Sequence, residues 1–425
     1  MSVPIPTVGI RRGILPSGER AVSRAVLVQF SDLLLTEDST MRDYYRRSYA
    51  RMRGYYMPQH FMEIPYWIPI VASMLPDEHF RKELMVVDDL DVAHSRLAEA
   101  AEGDVFFFSA LDANVEQLLH LASTGATMVV GGYVDPEVFL GHPHVSFLHD
   151  VANLPDFLPG ARPRTTLDYR LFDGLQCIPR FSMSSGCSFR CNFCTVPTQV
   201  VPADPAGYEA EIAAFAPLDF RLAFIDDKSF GDPAANNWQD LGKVRDIFAA
   251  LHHGFEGFII QTPPSLAARP GFLADCRDMG VRYVEFGVET AHDGLLKYLR
   301  KPFRTKHLYK ASETIRELGL YVIPNFIMGI PGDDYKGTVQ WVREFVDIMP
   351  AVNINWLAAH YGNERGHLDL PVETFGDRDQ NTVTKSWLDQ EEIAAGLGAV
   401  QEIYAVTEAY WRDRATYPGE QVSAQ

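Results

Sequence analysis

Ser185-Gly186-Cys187-Ser188-Phe189-Arg190-Cys191-Asn192-Phe193-Cys194 holds three of the chain's five cysteines. The spacing is C-x3-C-x2-C, with an aromatic residue just before the last cysteine. Three thiolates this close can take three corners of an iron–sulfur cube and leave the fourth iron open. A zinc ribbon would need a second Cys or His pair at matching spacing, and none follows. A purely structural trio of cysteines is the other reading. Cys177 lies close enough to be mistaken for a fourth ligand. Cys276 sits in Phe272-Leu273-x-x-Cys276-x-x-Met279, an apolar face at helical spacing, and reads as a small buried hydrophobe.

Downstream of this stretch the chain repeats a strand and a helix six times. Residues 180–183 form the first strand and lead straight into the cysteines. Helix 204–215 follows, then strand 222–227, which ends in Asp226 and Asp227. Next come a helix marked by Leu241, Val244, Ile247, Phe248 and Leu251, and strand 257–262 with Gln261 near its end. Helix 270–279 is stopped by Gly280. Strand 283–290 alternates Glu285, Gly287 and Glu289 with apolar residues, so these three share a face, the expected barrel interior. Helix 305–318 is capped by Thr305 and ended by Gly319. Strand 321–329 passes through Asn325 into the turn Gly329-Ile330-Pro331-Gly332, and helix 334–348 precedes strand 352–357. Six such units predict a partial (β/α)6 barrel over residues 177–365, with chemistry at the carboxyl ends of its strands. A C-terminal helical segment, 366–425, contains an amphipathic helix over 388–414. Its stripe of Ile393, Leu397, Val400, Tyr404 and Trp411 is expected to cover the barrel's open side or to meet another subunit.

Upstream, residues 1–22 read as a loosely ordered leader. Short apolar strands at 25–30, 84–88, 104–109, 127–132 and 145–148 alternate with helices at 68–75, 95–101 and 115–124. Continuous apolar strands between helices indicate a Rossmann-like parallel sheet covered on both faces, over residues 23–150. Its strand ends carry Asp88, Ser109 and Gly131-Gly132. Small residues there let a large flat ligand approach the backbone, or the glycines simply make the turns. Between the first two strands, Met41, Tyr44, Tyr45, Tyr49 and Met52 give a helix with one aromatic face, expected to pack on this domain. Residues 151–176, rich in Pro and Arg, read as an interdomain linker.

The cysteine motif after a short strand resembles that of the radical S-adenosylmethionine (radical SAM) superfamily. The preceding sheet domain resembles the cobalamin-binding domain of B12-type radical SAM enzymes. The resemblance covers roughly residues 25–360. It implies that Cys187, Cys191 and Cys194 ligate a [4Fe–4S] cluster shielded by Phe193. It implies that Asp226 and Asp227 meet the SAM amino group, Glu289 the ribose, and the stretch from Asn325 through Gly329 and Ile330 the adenine, with Gln261 also among the cofactor contacts. Ser109, Gly131 and Gly132 would lie against cobalamin. The Asp-x-His-x-x-Gly motif that supplies an axial histidine elsewhere is absent. That leaves cobalamin bound without it, or a domain that binds none. For the aspartate pair, a helix N-cap beside a solvated carboxylate is the alternative. Lys301, Arg304, Tyr335, His360 and Tyr361 could touch substrate.

The chain has 425 residues and a formal charge of −18, with 47% hydrophobic and 22% charged residues. No net basic field is available to drive counterion release, which argues against a nucleic-acid tracker. Arg42, Arg46, Arg47, Arg51 and Arg53 form one local basic cluster. No signal peptide or membrane span is visible, and five cysteines make no disulfide framework, so a cytoplasmic setting is expected. By family prevalence the resemblance implies methylation of an unactivated carbon of a small-molecule or peptide substrate. It also implies an electron donor such as a flavodoxin or ferredoxin. Rearrangement, cyclisation, dehydration or decarboxylation is the alternative outcome. A non-catalytic iron–sulfur sensor is a third reading, and the SAM-contacting carboxylates argue against it.

Overall fold

The structure, a computed structural model, describes residues 9–14, 23–31, 39–55, 64–111, 114–132, 134–164, 166–194, 196–357 and 388–416. They divide into two compact units.

The first unit holds β1 (Gly9–Ile14), β2 (Ser23–Phe30), β3 (Phe80–Val87), β4 (Val105–Ala110), β5 (Met128–Gly132) and β6 (Val145–Leu148), in the order β1-β3-β2-β4-β5-β6. Strands β2 to β6 pair in parallel. Residues 25–28 are at most 1% exposed, so both faces of the central strand are covered, as a doubly wound sheet requires. Without β1 the order is flavodoxin-like, and it reverses between β2 and β4. Ligands in such sheets bind outside the carboxyl ends of the strands at that reversal. The helices Trp67–Met74 and Val115–Ala122 fall within two residues of their expected bounds, while Leu90–Ala98 starts five residues before the expected 95–101. Asp89 fixes the start of Leu90–Ala98 by accepting from the N–H groups of Asp91 and Val92.

Three expectations are corrected here. The expected leader contains β1, which pairs antiparallel with β3 and covers that sheet edge. Strand β3 begins at Phe80 rather than residue 84, because the polar run Arg81-Lys82-Glu83 belongs to it. The Lys82 side chain is buried, and its ammonium donates to Asp168 at 2.8 Å and reaches Asp77 at 2.8 Å. Arg170 binds the same two carboxylates. A buried ammonium must be paired, and this pairing draws 151–176 onto the first unit, so the stretch is not a free linker.

The second unit is a parallel open sheet: β7 (Arg180–Phe181), β10 (Leu222–Ile225), β11 (Gly257–Gln261), β12 (Val281–Glu289), β13 (Tyr321–Met328) and β14 (Asn353–Trp356), in chain order from one edge to the other. The short pair β8 (Ser184–Ser185) and β9 (Val201–Pro202) flanks the cysteines. This is the six-stranded partial barrel expected from the repeats. Helix Thr305–Leu318 matches its expected bounds, and Gly319 ends it in the left-handed region at φ 65°. Its start differs: the capping position is Arg304, and the Asp293 carboxylate accepts from Thr305 N–H.

The aromatic face of Met41, Tyr44, Tyr45, Tyr49 and Met52 is expected to pack on the first domain. These residues pack with the barrel instead. Helix Ser39–Tyr49 lays Tyr44 on Tyr404 of helix Gln390–Trp411, with ring centroids 3.9 Å apart, and bonds Thr407 through its hydroxyl. The Tyr45 hydroxyl accepts from Ile354 N–H, and the Tyr49 hydroxyl donates to Asn353, so both tie the helix to edge strand β14. The C-terminal helix covers the same side. Its buried residues are Gly396, Ala399, Val400, Ile403, Tyr404, Thr407 and Trp411, while Leu397 from the expected stripe is exposed. The face is rotated because Gly396 sits against Trp356, where a Cβ would come within 2.8 Å of the ring. Residues 358–387, including His360 and Tyr361, lie outside the described residues.

Among the described residues, no helix is long and apolar enough to cross a membrane. Truncating Tyr44 to Ala removes a fully buried ring from the seam between two helices and the sheet. A loss of about 3–5 kcal/mol is expected, read as a lower midpoint in chemical denaturation followed by tryptophan fluorescence.

Candidate functional site

The cysteine loop leaves the carboxyl end of β7, the edge strand of the barrel sheet. Its entry is held by one buried carboxylate. Asp227 accepts from Met183 N–H at 2.7 Å, Ser184 N–H at 2.9 Å and the Ser184 hydroxyl at 2.7 Å. Burial pushes its pKa up to about 6, against the three hydrogen bonds that favour the anion. Neighbouring Asp226 is ion-paired with Arg180 at 2.5 Å and Lys228 at 2.7 Å. The adjacent carboxylates therefore have different roles, and neither caps a helix.

Inside the loop, Gly186 has φ 78°, and a Cβ there would lie 1.9 Å from the Gln199 carbonyl oxygen. Only glycine fits that approach. Cys187 N–H donates to the Pro197 carbonyl at 2.9 Å. Asp232, also buried, accepts from Ser188 N–H at 2.8 Å and the Ser188 hydroxyl at 2.9 Å. On the far side, Asn192 donates from its backbone to the Leu299 carbonyl and from its amide to the Tyr298 carbonyl at 2.8 Å. The loop is thus pinned between β10 and the chain after β12, while its three thiols stay half-buried.

Burial pushes the Cys191 thiol up to about 11 and also raises Cys187. Nearby cations must then favour the thiolates. Among the described residues, Lys301 acts on both of these thiols. Burial works against its charge, but Glu289 and the Cys191 and Cys194 thiols hold its pKa above the usual value. Its ammonium lies 2.7 Å from Glu289 and 5.6 Å from the centre of the Phe193 ring. Glu289 itself has φ 60°, rare for a residue with a side chain, at a break in the β12–β13 register. Gly287 leaves the room: a Cβ there would sit 2.8 Å from Glu289 and 3.2 Å from the ammonium. Composition and spacing offered no signal for this pair.

A second polar group occupies the barrel interior. Glu285 is buried, its pKa pushed up to about 7 by burial, and it accepts from the Tyr55 hydroxyl at 3.3 Å. Asn325 accepts from the Asn353 amide at 2.9 Å. Gln261 pairs with Glu285 across β11 and β12. Gly329, at φ 79°, donates to the Tyr335 hydroxyl at 3.0 Å, and Ile330 is buried. Asp226, Asp227, Gln261, Glu289, Gly329 and Ile330 therefore lie at or beside strand carboxyl ends, with Asn325 farther down β13. Arg304 is half-buried at the start of its helix, and Tyr335 is buried beneath the Gly329 turn. In the first unit, Ser109 pairs with Gly131 and Ala110 with Gly132 across β4 and β5. Gly132 is demanded by its neighbour, since a Cβ would meet the Ala110 carbonyl oxygen at 2.0 Å. Gly131 has no such conflict and leaves the strand end bare.

Among the described residues, no group of three or more His, Cys, Asp or Glu could hold a metal ion. An iron–sulfur cube asks for a different arrangement, because each thiolate binds a different iron and the sulfurs stay apart. Three half-buried thiols on one pinned loop beside a buried ammonium fit that demand.

The raised pKa of Asp227 gives a signed pH dependence. In the folded chain Asp227 holds its proton up to about pH 6, above the 3.8 of a free carboxyl. The folded state therefore binds more protons between about pH 4 and 6, and this residue's contribution to stability falls as pH rises through that window. Asp227→Asn does not titrate. The stability of D227N relative to the parent is expected to rise by about 2 kcal/mol from pH 4 to pH 7, measured by urea denaturation at each pH. A constant difference would contradict the assignment.

Residues 181–345 match the Radical SAM superfamily. The ribosomal protein uS12 methylthiotransferase RimO of Streptomyces coelicolor is 24% identical over 273 residues, 60% of this chain and 50% of RimO. The match thus spans about half the length of that curated relative. Among solved structures, the methyltransferase TsrM from Kitasatospora setae, with cobalamin and a [4Fe–4S] cluster bound, aligns at a TM-score of 0.53 and 14% identity, covering 94% of this chain and 93% of TsrM. The cobalamin-dependent enzyme OxsB, with aqua-cobalamin and SAM bound, aligns at 0.52 and 14% identity, covering 87% of this chain and 56% of OxsB. These likenesses establish the fold. Residues 181–345 thus form a radical SAM domain, a family whose cofactors are a [4Fe–4S] cluster and SAM, and a parallel-sheet unit precedes it in the chain.

Proposed function

We propose that the protein is a cobalamin-dependent radical SAM methyltransferase acting on an unactivated carbon of a small molecule. The observation that carries this reading is the cysteine loop: three half-buried thiols held on both flanks at the carboxyl end of the first barrel strand. The flavodoxin-like order of the first unit, with its bare strand end at Gly131, supports cobalamin as the second cofactor. Electron transfer from the cluster would cleave SAM to a 5′-deoxyadenosyl radical that takes hydrogen from the substrate, and methylcobalamin would supply the methyl group.

The chain's own part is to hold and orient. Cys187, Cys191 and Cys194 would ligate three irons, with Phe193 and Lys301 against them. Asp227 already binds three donors and holds the loop. Asp226, ion-paired at its strand end, is therefore the carboxylate that would receive the SAM amino group by exchanging one of its cations. Glu289, kept in a strained backbone by Lys301, would meet the ribose. The Gly329 and Ile330 turn would lie along adenine, with Gln261 and Asn325 toward the barrel interior. Ser109, Gly131 and Gly132 would face the corrin. Burial of such groups strengthens their electrostatics and excludes water from a reactive radical.

The test is cofactor content after anaerobic purification from cells supplied with B12. Near-stoichiometric cobalamin and about four irons per chain are expected. Replacing the three cysteines with Ala should abolish the iron and leave cobalamin bound. Iron retained in that variant would overturn the cluster assignment. An intact cluster without cobalamin would overturn methyl transfer by this route and leave rearrangement, elimination or decarboxylation.

A further inference from the structure

The cluster loop and the chain after β12 meet through the two hydrogen bonds of Asn192 to the Tyr298 and Leu299 carbonyls. These two stretches share an unusual charge. Residues 185–194 and 294–304 contain no Asp or Glu, but they carry Arg190, Lys297, Arg300, Lys301 and Arg304, in a chain whose net charge is −18. Lys301 is ion-paired with Glu289. Arg190, Lys297 and Arg300 are exposed, and none of the three forms an ion pair among the described residues. The nearby carboxylates are already engaged: Asp232 holds Ser188, and Asp293 accepts from Thr305 N–H. Tyr298 adds an aromatic ring that is 40% exposed.

Arg300 marks the site a second way. It closes helix Asp293–Tyr298 with φ 55°, in the left-handed region where glycine is the unstrained choice. Its backbone N–H donates to the Lys297 carbonyl, and the N–H of Lys301 to that of Leu296, so the turn is locked. A cationic side chain thus stands where the backbone conformation favours none. Local bonding accounts for the turn but not for the arginine.

We propose that Arg190, Lys297 and Arg300 form the docking surface for an acidic flavodoxin that reduces the cluster. This rests on the radical SAM reading above. Arg190 lies in the loop that carries the three cysteines, and Lys297 and Arg300 flank Tyr298 and Leu299, whose carbonyls Asn192 binds, so a bound carrier would meet the chain beside that loop. A positive patch on an otherwise acidic protein steers an acidic partner to one place and repels it elsewhere. In the transfer itself, the carrier's flavin hydroquinone loses one electron and one proton to become the neutral semiquinone. The electron is accepted at the cluster, and the proton goes to water.

The experiment compares two reductants on the reconstituted, anaerobic full chain: flavodoxin hydroquinone, and photoreduced 5-deazariboflavin, a small molecule that needs no docking surface. Cluster reduction is followed by loss of visible absorbance and by electron paramagnetic resonance, without substrate. In Arg190→Glu/Lys297→Glu/Arg300→Glu the flavodoxin rate should fall tenfold or more at low ionic strength, with deazaflavin reduction unchanged. The triple glutamine variant should fall by about threefold, and the parent rate should drop as salt is added. An unchanged flavodoxin rate in both variants would overturn the proposal. So would equal slowing with both reductants. Absence of any reducible iron–sulfur signal in the parent chain would instead sink the cluster reading on which the proposal rests.

Discussion

The site depends on a buried carboxylate binding a stretch of backbone. Asp227 sits at the end of β10, and its three acceptor contacts fix Met183 and Ser184, the residues through which β7 becomes the cysteine loop. Strand β7 has only two residues in the ladder, too few to set the loop's direction alone. The carboxylate sets it instead. The arrangement has a cost, since the burial that excludes water from the loop also raises the Asp227 pKa. A charge placed there is tolerable because every oxygen has a donor. Asp232 repeats the device one turn later on Ser188.

The opposite wall uses charge rather than backbone hydrogen bonding. The Lys301 and Glu289 side chains are each only 9% exposed, and the pair is sound only because each neutralises the other. Glu289 accepts a strained backbone, Gly287 makes room, and the ammonium comes to rest near the thiols and the Phe193 ring. If one partner were removed, the other would be an unpaired charge beside the cluster loop. The two walls therefore hold the cysteines in different ways, and they respond differently to salt and pH.

Much of this was legible in the sequence where a residue's local pattern and its tertiary use coincide. The cysteine spacing, the repeated strand and helix and the glycine stop at Gly319 each speak through neighbours in the chain. The expected contacts fall mostly at strand ends because the topology puts them there. What escaped was set by distant partners. Lys82 looked like part of a polar boundary because Asp77 and Asp168, which make its burial possible, are not its neighbours in sequence. The Lys301–Glu289 pair joins residues on either side of a helix. The two aspartates at β10 looked alike in sequence, yet one holds backbone and the other faces cations, a difference set by residues 44 and 46 positions away.

The barrel's open edge shows the same rule at larger scale. A six-stranded parallel sheet leaves β14 with unpaired backbone groups, and something must cover them. Two segments far apart in sequence do so together. Helix Ser39–Tyr49 contributes Tyr45 on Ile354 and Tyr49 on Asn353, and helix Gln390–Trp411 contributes Gly396 on Trp356. Neither covers the edge alone, and Tyr44 stacked on Tyr404 joins them. The aromatic face of the first helix was visible as a periodic stripe, but a stripe does not name its partner. Tyrosine suits the position because its ring fills the seam while its hydroxyl meets backbone or amide groups that leucine would leave unsatisfied. The stretch then runs on to Tyr55, whose hydroxyl reaches Glu285 inside the barrel. A segment that begins as cover for an edge thus ends by fixing a carboxylate on the same face as Gly287 and Glu289. Packing at the rim and polarity in the interior are consequences of one insertion.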